Sequence, residues 1–314
     1  MSKLFFIGNG FDLAHKIPSG YEDFRLYLIS LLNQISGKNY SNYDFSDSEI
    51  ISIDYKKNLE NDILTIMYFL SYVENRTEWR NIEKSVGELN YDDFSWLYID
   101  ESKDDKEYRA NWINEDLFSP YVTVLSTIPD FFSKWIKQIN IDKYHKKYFS
   151  SKLSDLFDND TKFLCFNYTH TLEYLYNIKR DNICYIHGKA KEDDELYFGH
   201  GNNLTYEDYI DTINNANYFS VAKGYSEIND ILRKPVELII NENSVFFESI
   251  KEVDEIYSFG FSYSSVDEPY IREVINKIST NAKWRINSFP PEEVKQDYKD
   301  VIRKCGYKGI VEEF

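Results

Sequence analysis

The sequence predicts an α/β fold: a mostly parallel β-sheet with helices on both of its faces and a large helical insertion. Three observations support this prediction. Short apolar runs alternate with amphipathic helical segments in both end portions of the chain. The first run, Leu4-Phe5-Phe6-Ile7, breaks directly into the glycine turn Gly8-Asn9-Gly10. Between residues 58 and 155 the apolar residues repeat at helical spacing, and no clear strand interrupts them.

The predicted strands are short apolar runs bounded by polar or glycine residues. They lie at residues 3–7, 162–166, 183–186, 255–259 and 282–287, and Leu196-Tyr197-Phe198 is a further candidate. Because the strands are separated by helical segments, consecutive strands are expected to be parallel.

The predicted helices have apolar residues on one face. Tyr21 to Gln34 is the first clear case, and Pro269 and Pro291 mark the starts of two late helices, where proline is favoured. The predicted domains follow from these elements. We expect residues 1–35 and 156–314 to form the sheet core, and residues 36–155 to form the helical insertion.

Composition and charge restrict the functional classes. The chain has 314 residues, of which 42% are hydrophobic and 28% charged, as in a soluble globular protein. Its net charge is −17, which repels polyanions and argues against broad nucleic-acid binding, whereas a small anionic ligand in a local pocket is compatible with it.

Location and metal content are predicted from two further features. No apolar run approaches the ~20 residues that a membrane helix needs, and the first residues do not resemble a secretory signal. The 3 cysteines are odd in number and scattered without metal-ligand spacing. We therefore expect a cytoplasmic protein that does not bind membranes and needs no metal.

Polar and glycine residues follow most of the predicted strands. Asp12 comes soon after the first strand, Asn167 follows the second, His187 the third, and Gly260 the strand at 255–259. Open parallel sheets bind ligands at the carboxyl ends of their strands. These residues therefore predict a ligand site at one edge of the sheet.

Each of these residues also has a plainer interpretation. A strand that ends in a glycine turn and feeds a helix can hold a phosphate through backbone N–H groups, but the same pattern is typical of an ordinary strand-to-helix turn. Asn167 could cap the next helix, His187 could be a turn histidine, and Asp12 could complement a helix N-terminus. At this point both interpretations stay open.

Four segments together resemble the AbiH family of bacterial abortive-infection proteins. They are LFFIGNGFDLAHKIPSGYEDF, FLCFNYTHTLEYLY, IHG and IYSFGFSYSSVDEPYI, in this order along the chain. This family in turn resembles the sirtuin-like NAD-binding group in the spacing of Gly8, Gly10 and Ile17-Pro18, in Asn167, in His187-Gly188 and in Gly260-Phe261-Ser262. The chain departs from that group at Asn9, Asp12 and Thr169, and it lacks the four-cysteine zinc site of the deacylases.

The resemblance implies a Rossmann-like sheet that binds NAD as substrate or ligand. It implies that Asn167 and His187 face the nicotinamide ribose. It also implies a set of cofactor-binding residues, of which the first three approach the diphosphate: Gly8, Asn9, Gly10, Phe11, Gly260 and Ser262.

The leading functional hypothesis is an antiphage enzyme that hydrolyses NAD to nicotinamide and ADP-ribose. In it Asn167 orients a water or a ribose hydroxyl, His187 is the general base, and Asp12 bonds a ribose hydroxyl. The first alternative is a nucleotide sensor without turnover. The second is a metal-dependent nuclease or nucleotide hydrolase, if Asp12, Glu83, His187 and His200 converge. We expect the helical insertion or oligomeric packing to keep such an activity inhibited, and we expect the protein partner to be a second copy of the chain or a defence protein.

Overall fold

The fold is built on a six-stranded sheet in which every strand runs parallel to its neighbours. A computed structural model describes residues 2–45, 58–74, 79–88, 119–144, 151–190, 195–213 and 219–314. The strands are β1 (Ser2–Ile7), β2 (Lys162–Cys165), β3 (Ile183–Tyr185), β4 (Val253–Phe259), β5 (Lys283–Ile286) and β6 (Val311–Glu313). The predicted α/β fold with a parallel sheet is confirmed.

The strand order is β3-β2-β1-β4-β5-β6. It reverses direction between β1 and β4, which is the topology of the Rossmann fold. Ile7 at the end of β1 pairs with Cys165 of β2 on one side and with Phe259 of β4 on the other. The residues that follow these three strands therefore emerge at one edge of the sheet.

The central strand β1 is buried on both faces. Its alternating side chains enter two apolar clusters: Leu4 and Phe6 belong to one, and Phe5 and Ile7 to the other. This double burial explains why β1 is a continuous apolar run and not an alternating one.

Helices connect the strands and also form most of the remaining described chain. They are α1 (Asn9–Ala14), α2 (Tyr21–Ser36), α3 (Leu59–Glu74), α4 (Ile82–Gly87), α5 (Ile128–Lys137), α6 (Ser151–Ser154), α7 (Thr171–Tyr176), α8 (Tyr206–Ile213), α9 (Phe219–Ile231), α10 (Val236–Glu242), α11 (Ser244–Ser249), α12 (Glu268–Lys277) and α13 (Glu292–Lys304). The helices predicted at Pro269 and Pro291 are confirmed as α12 and α13.

The strand predicted at Leu196-Tyr197-Phe198 is wrong, since these residues have no strand neighbour. The backbone N–H of Tyr197 instead donates to the carbonyl of His187, in the loop after β3. Gly199 follows with a φ of +137°, a conformation that favours glycine and departs from that of a β-strand.

The chain divides into two compact units. The first consists of Met1–Gly20, Ser133–Tyr197 and Pro235–Phe314 and holds the whole sheet. The second consists of Tyr21–Phe132 and Phe198–Lys234, and among its described residues it holds α2, α3, α4, α8 and α9. The domain boundaries expected from the sequence, at residues 36 and 155, stay a prediction. Within the described ranges, no helix combines the length and the apolar character needed to cross a membrane.

Candidate functional site

The predicted site residues of the first unit do emerge at the carboxyl edge of the sheet. Asp12 lies in α1 directly after β1, Asn167 lies two residues after β2, and His187 lies two residues after β3. Gly260 follows β4 directly. The parallel register explains this arrangement, because strands that run together end together.

Asp12 is fully buried and is held by threonine hydroxyls. Its Oδ2 accepts a hydrogen bond of 2.5 Å from Oγ1 of Thr169, which lies 3.0 Å from Oγ1 of Thr171. Burial raises the pKa of Asp12 to about 6, although nearby side chains, first among them Thr169, favour the charged form. Oδ1 of Asp12 has no hydrogen-bond partner among the described residues.

Asn167 is buried, and its side chain makes no hydrogen bond to any described residue. It is 5% exposed, and neither Oδ1 nor Nδ2 has a partner within the described ranges. It lies close enough to Asp12 to help lower the pKa of that carboxyl, but not in hydrogen-bonding geometry. It does not cap α7, whose N-cap is His170. Buried amides without partners are uncommon in native proteins, so this one points to a bound water or ligand.

His187 faces a carboxylate in an aromatic surrounding. It is 3% exposed, and its Nε2 lies 3.7 Å from Oδ1 of Asp267. The rings of Tyr168 and Tyr270 lie 5.7 and 5.9 Å from the imidazole, measured between centroids. Sequence reasoning missed Asp267, because an acidic residue before Glu268-Pro269 reads as a helix cap. Asp267 is indeed the N-cap of α12, but its side chain makes no capping bond.

The glycine turn packs against the loop after β4. The N–H of Gly8 donates to the carbonyl of Phe259 at 3.1 Å, and that of Gly10 donates to the carbonyl of Gly260 at 2.9 Å. A Cβ on Gly10 would lie 2.6 Å from Cα of Gly260, so this contact requires glycine. The close approach of two loops is therefore one reason for glycine at these positions.

The other predicted cofactor-binding residues have varied surroundings. Asn9 accepts a hydrogen bond of 2.6 Å from Oγ of Ser19, through its Oδ1. Phe11 is buried in the apolar core, where its ring lies 5.9 Å from that of Phe259, and Ser262 is exposed. Contact of these residues with a cofactor stays a prediction.

His15 fixes the end of α1. Its Nδ1 lies 2.7 Å from the carbonyl oxygen of Phe11, which can only accept, so Nδ1 carries the proton. Its Nε2 therefore accepts the hydrogen bond of 2.8 Å from the hydroxyl of Tyr176, the last residue of α7. This bond joins the helix that carries Asp12 to the helix that follows Thr169.

A cavity of about 200 Å³ lies beside Thr169, the residue whose hydroxyl donates to Asp12. Thr169, His170 and Ala190 form part of its wall, and the rest comes from residues 136–142, which include Lys137 and Asp142. The sites that hold drug-sized ligands usually have volumes of about 300–1,000 Å³. This cavity has room for a group of about the size of a single ring.

The four residues of the metal hypothesis belong to different units. Asp12 and His187 lie in the first unit, whereas Glu83 and His200 lie in the second. There Glu83 accepts hydrogen bonds from the Gly199 N–H and forms an ion pair with Lys234, each at 2.9 Å. Among the described residues, no group of three or more His, Cys, Asp or Glu is arranged to hold a metal ion.

Comparison with known families identifies the chain. The family described as bacteriophage abortive infection AbiH matches residues 4–288. The chain belongs to the AbiH family. The matched range includes most of β1 and all of β2 to β5, and it contains Asp12, Asn167, His187 and Asp267.

Membership implies that this AbiH protein acts in abortive infection, a defence of bacteria against phage. No curated protein and no solved structure matches the chain. The resemblance to sirtuin-like NAD-binding proteins stays a prediction.

Proposed function

We propose that this AbiH protein hydrolyses NAD to nicotinamide and ADP-ribose at the carboxyl ends of β1, β2 and β3. The observation that carries the proposal is the buried Asn167 amide, which lies beside the buried Asp12 carboxyl and has no hydrogen-bond partner in the described chain. A polar ligand such as a ribose would satisfy both groups, since its hydroxyls donate and accept hydrogen bonds.

Asp12 has the charge that this reaction needs. Cleavage of an N-glycosidic bond places positive charge on the ribose in an oxocarbenium-like transition state. With a pKa of about 6, Asp12 is mostly ionised at neutral pH and can accept a hydrogen bond from a ribose hydroxyl. A carboxylate in a place with little water stabilises such charge more strongly than one in bulk solvent.

Asn167 would orient the attacking water or a ribose hydroxyl, and His187 would deprotonate the water. The Asn167 amide offers a donor and an acceptor, which orient either the water or a ribose hydroxyl. His187 would take a proton from the attacking water, whose oxygen bonds the ribose carbon as nicotinamide leaves. Asp267 lies 3.7 Å from Nε2 of His187, where it would stabilise the resulting imidazolium. The proton then passes to solvent, so that one NAD and one water give nicotinamide, ADP-ribose and a proton.

The test is nicotinamide release from NAD, followed by chromatography with purified protein and in phage-infected cells that express it. Asn167→Ala and His187→Ala should each lower the rate by about 100-fold or more, because positioned acid–base groups contribute that much. Asn182→Ala, a change outside the site, should retain the wild-type rate. Release that survives both site changes would overturn the residue assignment, and intact NAD recovered from the wild-type protein would favour sensing without turnover.

A further inference from the structure

We infer that the site selects its substrate through the N-linked ribose and makes no use of a diphosphate. This inference rests on the proposed function and names the substrate class of the same site. That class is N-ribosyl compounds of a cationic base. The site should bind a riboside or a mononucleotide of this class as tightly as the dinucleotide. The inference comes from the contrast between the two sides of β1.

The crevice between β1 and β4 lies where a Rossmann fold binds the diphosphate of a dinucleotide, because the strand order reverses there. Such a site offers free backbone N–H groups at the start of a helix. In this chain the N–H of Gly8 is bonded to Phe259 and that of Gly10 to Gly260. The N–H of Phe11 is bonded to the carbonyl of Gly8 at 2.9 Å.

The two loops also leave no space between them. A Cβ on Gly8 would lie 2.4 Å from the carbonyl oxygen of Gly260, and one on Gly260 would lie 2.2 Å from the backbone nitrogen of Phe11. Backbone atoms of the two loops are therefore in direct contact where the strand order reverses. The glycines permit contact between two loops of the same chain.

The charge near the turn also disfavours a diphosphate. Asp12 is buried in α1, one turn after Gly8, and helix α1 has only 6 residues. Its carboxylate would repel a diphosphate at the turn but would attract a cationic ribosyl group. Oδ1 of Asp12 and the amide of Asn167, which have no hydrogen-bond partner among the described residues, follow β1 and β2.

The cavity beside Thr169 is small. At about 200 Å³ it accommodates a ring-sized group and not a dinucleotide. Thr169 lines this cavity and donates its hydroxyl to Asp12. A group bound in this cavity, next to the residue that bonds Asp12, would therefore be only a small part of a dinucleotide.

The experiment compares NAD, nicotinamide mononucleotide and nicotinamide riboside. Binding is measured by calorimetry on His187→Gln, which lacks the proposed base, and kcat/KM for nicotinamide release is measured on the wild-type protein. We expect the three affinities to agree within about threefold, and Asn167→Ala to weaken all three equally. A diphosphate held by several charge-assisted hydrogen bonds would instead make NAD tighter than the riboside by about 100-fold or more.

The outcomes separate this inference from the proposed function. Equal binding without nicotinamide release supports the ribose selectivity and overturns the hydrolysis. Release from NAD together with much weaker riboside binding supports the hydrolysis and overturns the selectivity. Failure of all three compounds to bind overturns both.

Discussion

The two sides of β1 end in different ways at the same edge of the sheet. Towards β4, the turn Gly8-Asn9-Gly10 and the residue Gly260 touch through their backbones, and the N–H groups of Gly8 and Gly10 are bonded within the chain. Towards β2, the side chains of Asp12 and Asn167 are buried while three of their polar atoms have no hydrogen-bond partner within the described ranges. The side towards β4 is therefore closely packed, whereas the side towards β2 has buried polar atoms that no described residue hydrogen-bonds.

This difference teaches that a glycine turn does not by itself locate a ligand. Glycines at a strand end can be required by a neighbouring loop as well as by a phosphate. Unsatisfied buried polar groups are more informative, because folding alone disfavours them by about 1–3 kcal/mol each. Stability and binding should therefore respond differently to changes on the two sides.

The largest effect is expected on the packed side. In Gly260→Ala the new Cβ would lie 2.2 Å from the nitrogen of Phe11, at a φ of +63°. Strain and overpacking together should lower the free energy of unfolding by about 4 kcal/mol, as measured by urea denaturation. Gly306→Ala is the control, since its φ of +105° is also unfavourable but no atom lies within 4 Å. It should cost only about 1–2 kcal/mol, and equal costs for the two variants would contradict the packing explanation.

The next effect concerns the charge of Asp12. Its pKa rises from 3.8 to about 6 on folding, so the folded protein binds this proton more tightly than the unfolded chain. Stability from this group is therefore present below pH 4, falls as the pH rises from about 4 to about 6, and then stays constant. Asp12→Asn removes this loss of stability. The difference in unfolding free energy, variant minus wild type, should therefore increase by about 3 kcal/mol as the pH is raised from 4 to 7.

Asp158 is the matched control for the sign of this effect. Partial burial raises the pKa of Asp158, but hydrogen bonds from Lys3 and Thr161 outweigh it and lower the pKa. For Asp158→Asn, the stability difference from wild type should therefore change only slightly with pH and in the opposite direction, because the wild type loses stability as the pH falls. A flat pH profile for the Asp12 comparison would show that the carboxyl is not buried as described.

The smallest effect on stability is expected at Asn167. Its amide makes no hydrogen bond within the described chain, so Asn167→Leu should change the unfolding free energy by less than about 1 kcal/mol. Asn229 is also a buried asparagine, and it bonds Asn202 at 3.0 Å and the carbonyl of Leu204 at 3.4 Å. Asn229→Leu should cost about 2 kcal/mol. Equal losses in urea denaturation would mean that Asn167 has a structural role.

The fold could be predicted in large part from the sequence. Apolar runs identified all of β1 to β5, because strands buried on both faces have a continuous apolar pattern. The candidate at Leu196-Tyr197-Phe198 failed because an apolar run does not specify its hydrogen-bond partner, and here Tyr197 bonds the loop after β3. The strand order needed the structure, since parallel crossovers allow several arrangements.

The candidate site was predictable only in its outline. Residues after strands could be named, because parallel strands end at one edge. The contact between Gly10 and Gly260 spans some 250 residues of chain, and neither it nor the pairing of His187 with Asp267 has a local sequence signal. The burial of Asp12 was equally hidden, since a carboxylate after a strand is usually exposed.

The most direct test of the central claim is a crystal structure of the protein with ADP-ribose. We predict that ribose hydroxyls lie within hydrogen-bond distance of the Asp12 carboxyl and the Asn167 amide, and that the diphosphate makes no contact with the N–H groups of Gly8 and Gly10. A diphosphate seated on the Gly8-Asn9-Gly10 turn, with Asn167 bound to water alone, would contradict the account.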